Sequence, residues 1–331
     1  MPTIKDVAVR ANTSVSTVSI ILNGKAAQRK ISPATCERVA AAIRELGYVP
    51  SRTARDLQGS SRKKSVALFW ANDYRTAMLA RFLSGMQPAL EGDGAGYEVS
   101  VHLYPVGHLA EQQALQGVPA FDGIIVGNAA VDDLAFLAKN KPLVPTVLYN
   151  RRLDGFGSVS VDDGLVGTML AQALEGRCRA LVLHAHVDFD GAHLREETFA
   201  QEFRNTGGTV HTVDLASMTA QAGMDAVRAT LEDARITGSS KPFDAICAPS
   251  DLVGLGAARA CRELGLAVPK DIAIASVGNG IPEYAQFAQA DIACAQIPIE
   301  PMAERCINML IKQVERGERP EELAMEPTSA K

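Results

Sequence analysis

Apolar positions near the start of the chain recur with a helical period. Ile4, Val7, Ala8 and Ala11 follow the i, i+3, i+4, i+7 rule, the spacing of one helix face. Thr3 and Asp6 frame its start as a capping-box pair. Ala11-Asn12-Thr13 interrupts the period, and Ser14 offers an N-cap to a second helix whose inward face is Val18, Ile21 and Leu22. The outward residues of that helix are Val15, Ser16, Thr17, Ser19 and Ile20. Two short helices joined by a three-residue turn form a helix-turn-helix, whose second helix suits a DNA major groove. A helical hairpin that merely packs on a neighbour has the same spacing. A third helix is predicted over residues 31–47, capped by Ser32, with Pro33 in its first turn and Gly47 at its end. Its inward face is Cys36, Val39, Ala40, Ile43 and Leu46.

A short helical segment, Arg52 to Gln58, follows Pro50-Ser51 and stops at Gly59-Ser60-Ser61. Two turns do not hold a helix alone in water. Its cationic Arg52 and Arg55 and apolar Leu57 suit ordering on a phosphate backbone, with Leu57 wedged between base steps. A plain linker is the other reading. From Ser65 the pattern changes. Candidate strands are Val66–Trp70, Tyr97–Tyr104, Gly123–Val126, Thr146–Tyr149, Ala180–His184, Ala245–Ala248 and Ile272–Val277. Amphipathic helices are expected at Ala77–Glu91, Gly164–Leu174, Glu197–Asn205, Ala220–Ala234, Leu252–Leu264 and Glu300–Arg316. Near-continuous apolar strands alternating with helices mean parallel sheets covered on both faces. About 260 residues exceed one compact sheet, so two are expected.

Charge sharpens this division. Residues 1–64 hold twelve Lys/Arg against four Asp/Glu, a net +8, which leaves −13 on the remainder of a chain of net charge −5. A basic head on an acidic body points to a polyanion partner at the head alone. The six cysteines show no C-x-x-C pair or zinc spacing, and several sit among apolar residues as buried thiols do. The sequence shows neither a leader pattern nor an apolar run of membrane-spanning length, so a soluble cytoplasmic protein without a membrane partner is expected.

The segments TIKDVA, Ser16–Ser19 (STVS), Leu22-Asn23-Gly24, Ile31-Ser32, ELGYVP and Ala54-Arg55-Asp56-Leu57 resemble, in order and spacing, the LacI/GalR family of bacterial transcription regulators. The likeness is dense over residues 3–57 and looser beyond. It implies an all-α helix-turn-helix head at residues 1–49 and a hinge helix and linker at 50–64. Residues 65–331 would form an α/β body like a type I periplasmic binding protein. That body would have two lobes with parallel sheets, one at about 65–161 plus 296–325 and the other at about 162–295. The chain would cross between them near Val161–Gly164, near Cys294–Pro298 and near the C-terminus. It further implies that Thr3, Ser14, Thr17, Ser19, Asn23 and Ser32 contact phosphates and that Val15, Ser16 and Ile20 face base edges. Ala54 and Leu57 would enter the minor groove. The expected function is an effector-responsive repressor that binds a palindromic operator as a homodimer or tetramer, with a small-molecule site between two lobes. A cytoplasmic binding protein or enzyme, with a vestigial head, is the alternative.

Ligands of open parallel sheets bind beyond the carboxyl ends of the strands. Here those ends carry Trp70, Asn72, Tyr74, Asn128, Asn150, Arg151, Asp162, Asp163, Ser250, Asp251 and Asn279. Amides, carboxylates and guanidinium groups with two aromatics suit a sugar, polyol or other metabolite. Asp251 doubles as a candidate N-cap of the following helix. Arg195, in HLREETF, corresponds by resemblance to the family's effector-binding arginine; a surface helix arginine is the other reading. Three departures from the family pattern stand out. Asn12 occupies a turn position usually held by Gly, and Ile20 stands where an arginine often reads guanine. Gly278 replaces an aspartate that would accept bonds from sugar hydroxyls. His184 and His186 fall on one side of a strand near Asp188, Asp190 and His193, which suggests either a metal site or a strand end running into a polar loop. Neither nucleophile elbow nor phosphate-binding loop nor dinucleotide fingerprint is present. No metal, cofactor or catalytic role is therefore assigned.

Overall fold

The computed structural model describes residues 2–22, 26, 28–46, 48, 63–73, 75–92, 94–115, 121–236, 242–280 and 291–330. The head consists of α1 (Ile4–Arg10), α2 (Val15–Leu22) and α3 (Pro33–Leu46). Thr3 caps α1 and Asp6 reaches back to the Thr3 amide at 2.7 Å, which completes the capping box. Asn12 takes a left-handed φ of 48°, and the Thr13 amide donates to the Ala8 carbonyl. This tight reversal turns α2 back onto α1. Val7, Ala8, Ala11, Val18, Ile21, Val39, Ala42 and Ile43 form the shared core, which is the periodicity that the apolar positions imply. The guanidinium of Arg38 donates to the Ala11 carbonyl at the end of α1, and Arg10 pairs with Glu45.

The body contains two six-stranded sheets. One comprises β1 (Lys64–Asn72), β2 (Tyr97–Pro105), β3 (Gly123–Gly127), β4 (Thr146–Tyr149), β5 (Gly157–Val161) and, late in the chain, β11 (Glu322–Met325), in the order β11-β5-β4-β3-β1-β2. β1 runs parallel to both β2 and β3, and β3 is parallel to β4. β3, β4 and β5 are buried along their whole length, as strands covered on both faces are. The associated helices are α4 (Thr76–Glu91) and α5 (Val131–Lys139). The buried Asp133 carboxylate stitches the start of α5 to its surroundings, accepting from the Ala130, Leu109 and Gly107 amides and from the Tyr104 hydroxyl.

The second sheet has the order β12-β10-β9-β8-β6-β7. Its strands are β6 (Arg179–His184), β7 (Thr209–Asp214), β8 (Ala245–Ala248), β9 (Ala273–Gly278), β10 (Ile292–Gln296) and β12 (Thr328–Ala330). All pairings are parallel except β10 with β12. Around it lie α6 (Asp163–Ala173), α7 (Asp190–Asn205), α8 (Ala220–Ile236) and α9 (Asp251–Glu263), and α10 (Ile299–Arg316) follows β10. Helices α8 and α9 approach so closely that a Cβ at Gly256 would collide with the Ala220 carbonyl. The chain divides into two compact units: Met1–Asn72, Met86–Ser158 and Glu304–Glu322, and Asp73–Gly85, Val159–Ala303 and Leu323–Lys331.

Two parallel-dominated sheets with helices are the architecture that the alternating pattern implies. Several elements escape that pattern. α5 and the strands β5, β7, β10, β11 and β12 were not expected, and α7 begins at Asp190 rather than at Glu197. β7 is an edge strand, exposed or half-exposed throughout, so it has no apolar run to reveal it. β5 (GSVSV) and β10 (IACAQ) interleave small or hydroxyl residues with the apolar ones. No helix among the described residues is long and apolar enough to cross a membrane.

Candidate functional site

In the head, the Ser14 hydroxyl accepts from the Thr17 amide at 3.1 Å, capping α2, and lies 2.8 Å from the Thr17 hydroxyl. Val18 and Ile21 point into the core while Ser14, Val15 and Ser16 are exposed, and Thr17, Ser19 and Ile20 are half-exposed. Thr3 and Ser32 are also exposed. Ser32 caps α3 through the Thr35 amide. The helix therefore presents a continuous face of small hydroxyl and apolar side chains to solvent. Asn23, Arg52, Ala54, Arg55 and Leu57 lie outside the described residues.

The carboxyl ends of the first sheet carry Trp70, Asn72, Asn128, Asn150 and Arg151. The Trp70 ring has no exposed surface; it stacks on Tyr149 with centroids 5.6 Å apart. Asn72 is exposed, whereas Asn128 is buried. Asn128 and Asn150 follow β3 and β4 with φ of 58° and 54°. The buried Arg151 guanidinium donates to the Ala129 and Asn150 carbonyls. Tyr74 lies outside the described residues.

In the second unit, Arg195 is 9% exposed. Its Nε and Nη2 both lie 2.7 Å from Asp163 Oδ1, and its guanidinium stands 5.6 Å from the Phe189 ring centre. The surface-arginine reading is thus corrected: the residue belongs to a buried ion pair. Gly191 makes the pair possible, since a Cβ there would collide with the Asp163 carboxylate. A pocket beside the pair is lined by His184, His193, Glu196, Cys247 and Pro249. Burial pushes the Cys247 thiol far up, which leaves it unreactive.

The expected cap of α9 also needs correction. Ser250, not Asp251, is the N-cap, its hydroxyl accepting from the Val253 amide at 3.2 Å. Asp251, 6% exposed, instead accepts from the Gly280 amide at 2.9 Å and the Leu252 amide at 2.8 Å. Burial raises the Asp251 carboxyl above its ordinary value, against the opposing pull of these bonds and of Arg81. Arg81 donates to the Gly280 carbonyl and pairs with Glu300 at 2.7 Å. Asn279 is half-exposed beside this network.

Gly278 has a local explanation. It pairs in register with Gln296 on β10, and a Cβ at position 278 would collide with the Gln296 carboxamide. A neutral amide from the neighbouring strand fills the space next to this residue. Sequence reasoning missed Gln296 because β10 was not read as a strand. It missed Asp163 as the Arg195 partner because nothing in the spacing joins residues 32 positions apart.

A compact helix-turn-helix head joined to an α/β body of two parallel-dominated sheets defines a DNA-binding regulator with a binding-protein-like body. Residues 3–51 match the model of bacterial regulatory proteins of the lacI family, and residues 170–330 match a periplasmic binding protein-like domain. CelR of Thermobifida fusca, an HTH-type transcriptional regulator, is 28% identical over 325 residues, covering 95% of this chain and 92% of CelR. MalI of Escherichia coli, a maltose regulon regulatory protein, is 37% identical over 183 residues, 52% of this chain and 50% of MalI. The structure of a CelR–cellobiose complex matches with a TM-score of 0.66 and 25% identity, covering 100% of this chain and 99% of that one. The chain thus combines a lacI-family helix-turn-helix region with a periplasmic binding protein-like domain and is a DNA-binding transcription regulator. Both curated relatives are regulators rather than enzymes.

Proposed function

We propose that this protein is a cytoplasmic repressor, without catalytic activity, that binds a palindromic operator as a homodimer and responds to a small metabolite. One observation carries the reading: a capped helix within the amino-terminal residues 1–64, of net charge +8, leaves Val15, Ser16, Thr17, Ser19 and Ile20 outside the core. That face suits contact with base edges and phosphates in a major groove. Thr3, Ser14, Asn23 and Ser32 serve the backbone. Arg52 and Arg55 serve the phosphate backbone, and Ala54 and Leu57 enter the minor groove at the operator centre. Dimerisation is supported by the edge strand β2, where Val101 and Leu103 lie 41% and 51% exposed on one face, an apolar edge that a monomer leaves open to pairing.

The effector is a hydroxyl-bearing metabolite, of which cellobiose in CelR is one example. Asn72, Tyr74, Asn128, Arg195, Asp251 and Asn279 contact it, supported from behind by Trp70 and Ser250. Because Gly278 offers no carboxylate, its pairs of hydroxyls meet amides more often than in the wider family. Effector binding shifts the populations of two body conformations and thereby the ordering of the hinge on DNA.

The test is selection of the full-length protein on random duplexes, followed by salt titration. An enriched palindrome whose affinity falls steeply with salt is expected. Recovery of no preferred sequence overturns the reading. A thermal-shift screen of sugars, polyols, nucleobases and phosphorylated metabolites then identifies the effector.

A further inference from the structure

We propose that His184, His186 and Asp214 form a binding site for a divalent transition-metal ion of the zinc class. Their donor atoms all lie within 4.8 Å of one another. His184 ends β6, and parallel pairing of β6 with β7 puts Asp214 directly beside it, so their side chains share a face of the sheet. The His184 and His186 rings stand 4.7 Å apart at 88°. His186 Nε2 lies 3.3 Å from Asp214 Oδ1. Metal–ligand bonds of about 2.0–2.1 Å in a tetrahedron put neighbouring donors roughly 3.3 Å apart, so one edge of the polyhedron already has its length. The other edges close by side-chain rotation, which exposure of His186 and Asp214 (72% and 68%) permits.

A further residue prepares the site. His184 Nδ1 lies 2.8 Å from Glu196 Oε2. A carboxylate only accepts, so the proton sits on Nδ1 and the Nε2 lone pair is left for a metal. This carboxylate–histidine arrangement is the usual support of a ligating imidazole. Two imidazoles with one carboxylate favour zinc, cobalt or nickel over calcium and magnesium, which prefer all-oxygen sets. With three protein ligands, the fourth position goes to water or an exogenous donor. Asp188, Asp190 and His193, which the sequence places nearby, are outside the cluster among the described residues; the His193 ring on α7 has its centroid 6.3 Å from that of His184.

The experiment uses the untagged, chelator-stripped full-length chain, titrated with Zn(II) by calorimetry and with Co(II) by visible absorption. One ion per chain and the intense bands of four-coordinate Co(II) are expected. His186→Ala and Asp214→Asn, both at exposed positions, each weaken binding at least tenfold while the melting curve without metal stays unchanged. Glu196→Gln weakens it by about ten- to a hundredfold. His211→Ala, an exposed histidine on the same strand as Asp214, leaves binding intact. Absence of stoichiometric binding overturns the proposal, as does an affinity that His186→Ala and Asp214→Asn leave unaltered. Loss of binding in His211→Ala equal to that in His186→Ala also overturns it. None of these readouts involves DNA, so they stand apart from the test of the repressor reading.

Discussion

Substituting Asp163→Asn isolates the charge that holds Arg195. Asparagine keeps the size and an acceptor oxygen, so only the negative charge is lost. Arg195 and Asp163 side chains are 11% and 13% exposed. Breaking a buried pair by removing one partner costs about 3–5 kcal/mol, because the surviving charge is left uncompensated. The partial exposure of both side chains and the retained hydrogen bond bring the expectation down to about 2–3 kcal/mol. For a body of this size, each kcal/mol moves the melting temperature by roughly 2–4 °C, so a drop of about 4–12 °C is expected by calorimetry. The companion variant Asp163→Leu with Arg195→Met removes both charges and should recover most of that loss, since apolar replacement of a buried pair is often neutral. A shift under about 1 °C for Asp163→Asn would refute the argument. So would a double variant whose loss is the sum of the two single losses, because residues in one ion pair are coupled.

Substitutions at four further positions probe the head and the strand ends. Asn12→Ala should destabilise the head by about 1 kcal/mol and Asn12→Gly should not, because φ at this position is positive; thermal melts of the two variants decide it. Ile20→Arg should move the preferred operator toward guanine at one position of each half-site, worth about 1–3 kcal/mol of discrimination in selected sequences. Asp251 has a folded-state value raised by burial, so its contribution to stability is fully present below the unfolded value and is lost as pH rises through the folded one. Asp251→Asn should therefore melt at or above the parent temperature at neutral pH and flatten the dependence on pH between the two values, and a lower melting temperature at neutral pH would contradict this. Asn128→Gly should match or exceed the parent in stability while losing the response to effector, measured as ligand-induced thermal shift.

How much was legible depended on whether the signal was local. The head's helices, their Thr3, Ser14 and Ser32 caps and the left-handed Asn12 are set by residues within four positions of one another, so period and cap chemistry reveal them. The cap of α9 was misplaced by one residue because Ser250 and Asp251 are both good capping types, and only the backbone decides which one stands at the boundary. The strands β7 and β10 were hidden for different reasons. β7 lies at an edge and is exposed or half-exposed at every position, so no buried face patterns it; β10 reads IACAQ, with too few branched residues to signal a strand. Each omission concealed a partner. Without β7, Asp214 was not visible beside His184; without β10, Gln296 was not visible beside Gly278. Arg195 was found by its resemblance, but its pairing with Asp163 required the packing of α6 against α7.

The features that a stability-optimised protein would avoid gather at the carboxyl ends of the strands. Asn128 and Asn150, directly after β3 and β4, hold left-handed backbones that glycine would adopt without a steric penalty. Asp251 is buried at a cost that its raised carboxyl value reports, and Arg195 and Arg151 are cations withdrawn from water. None of these is needed to close a sheet, since β3 and β4 already bury apolar side chains along their length. Local rules broken at such positions mark sites where the side chain itself is what matters. Two asparagines in place of glycine each retain an amide that glycine lacks, and a buried carboxylate retains an acceptor that asparagine only half supplies. These are groups that recognise hydroxyls. The distribution of strain therefore argues for a ligand-binding role of the strand ends independently of any likeness to other proteins, and it is the reason that stability and effector response should part company in Asn128→Gly.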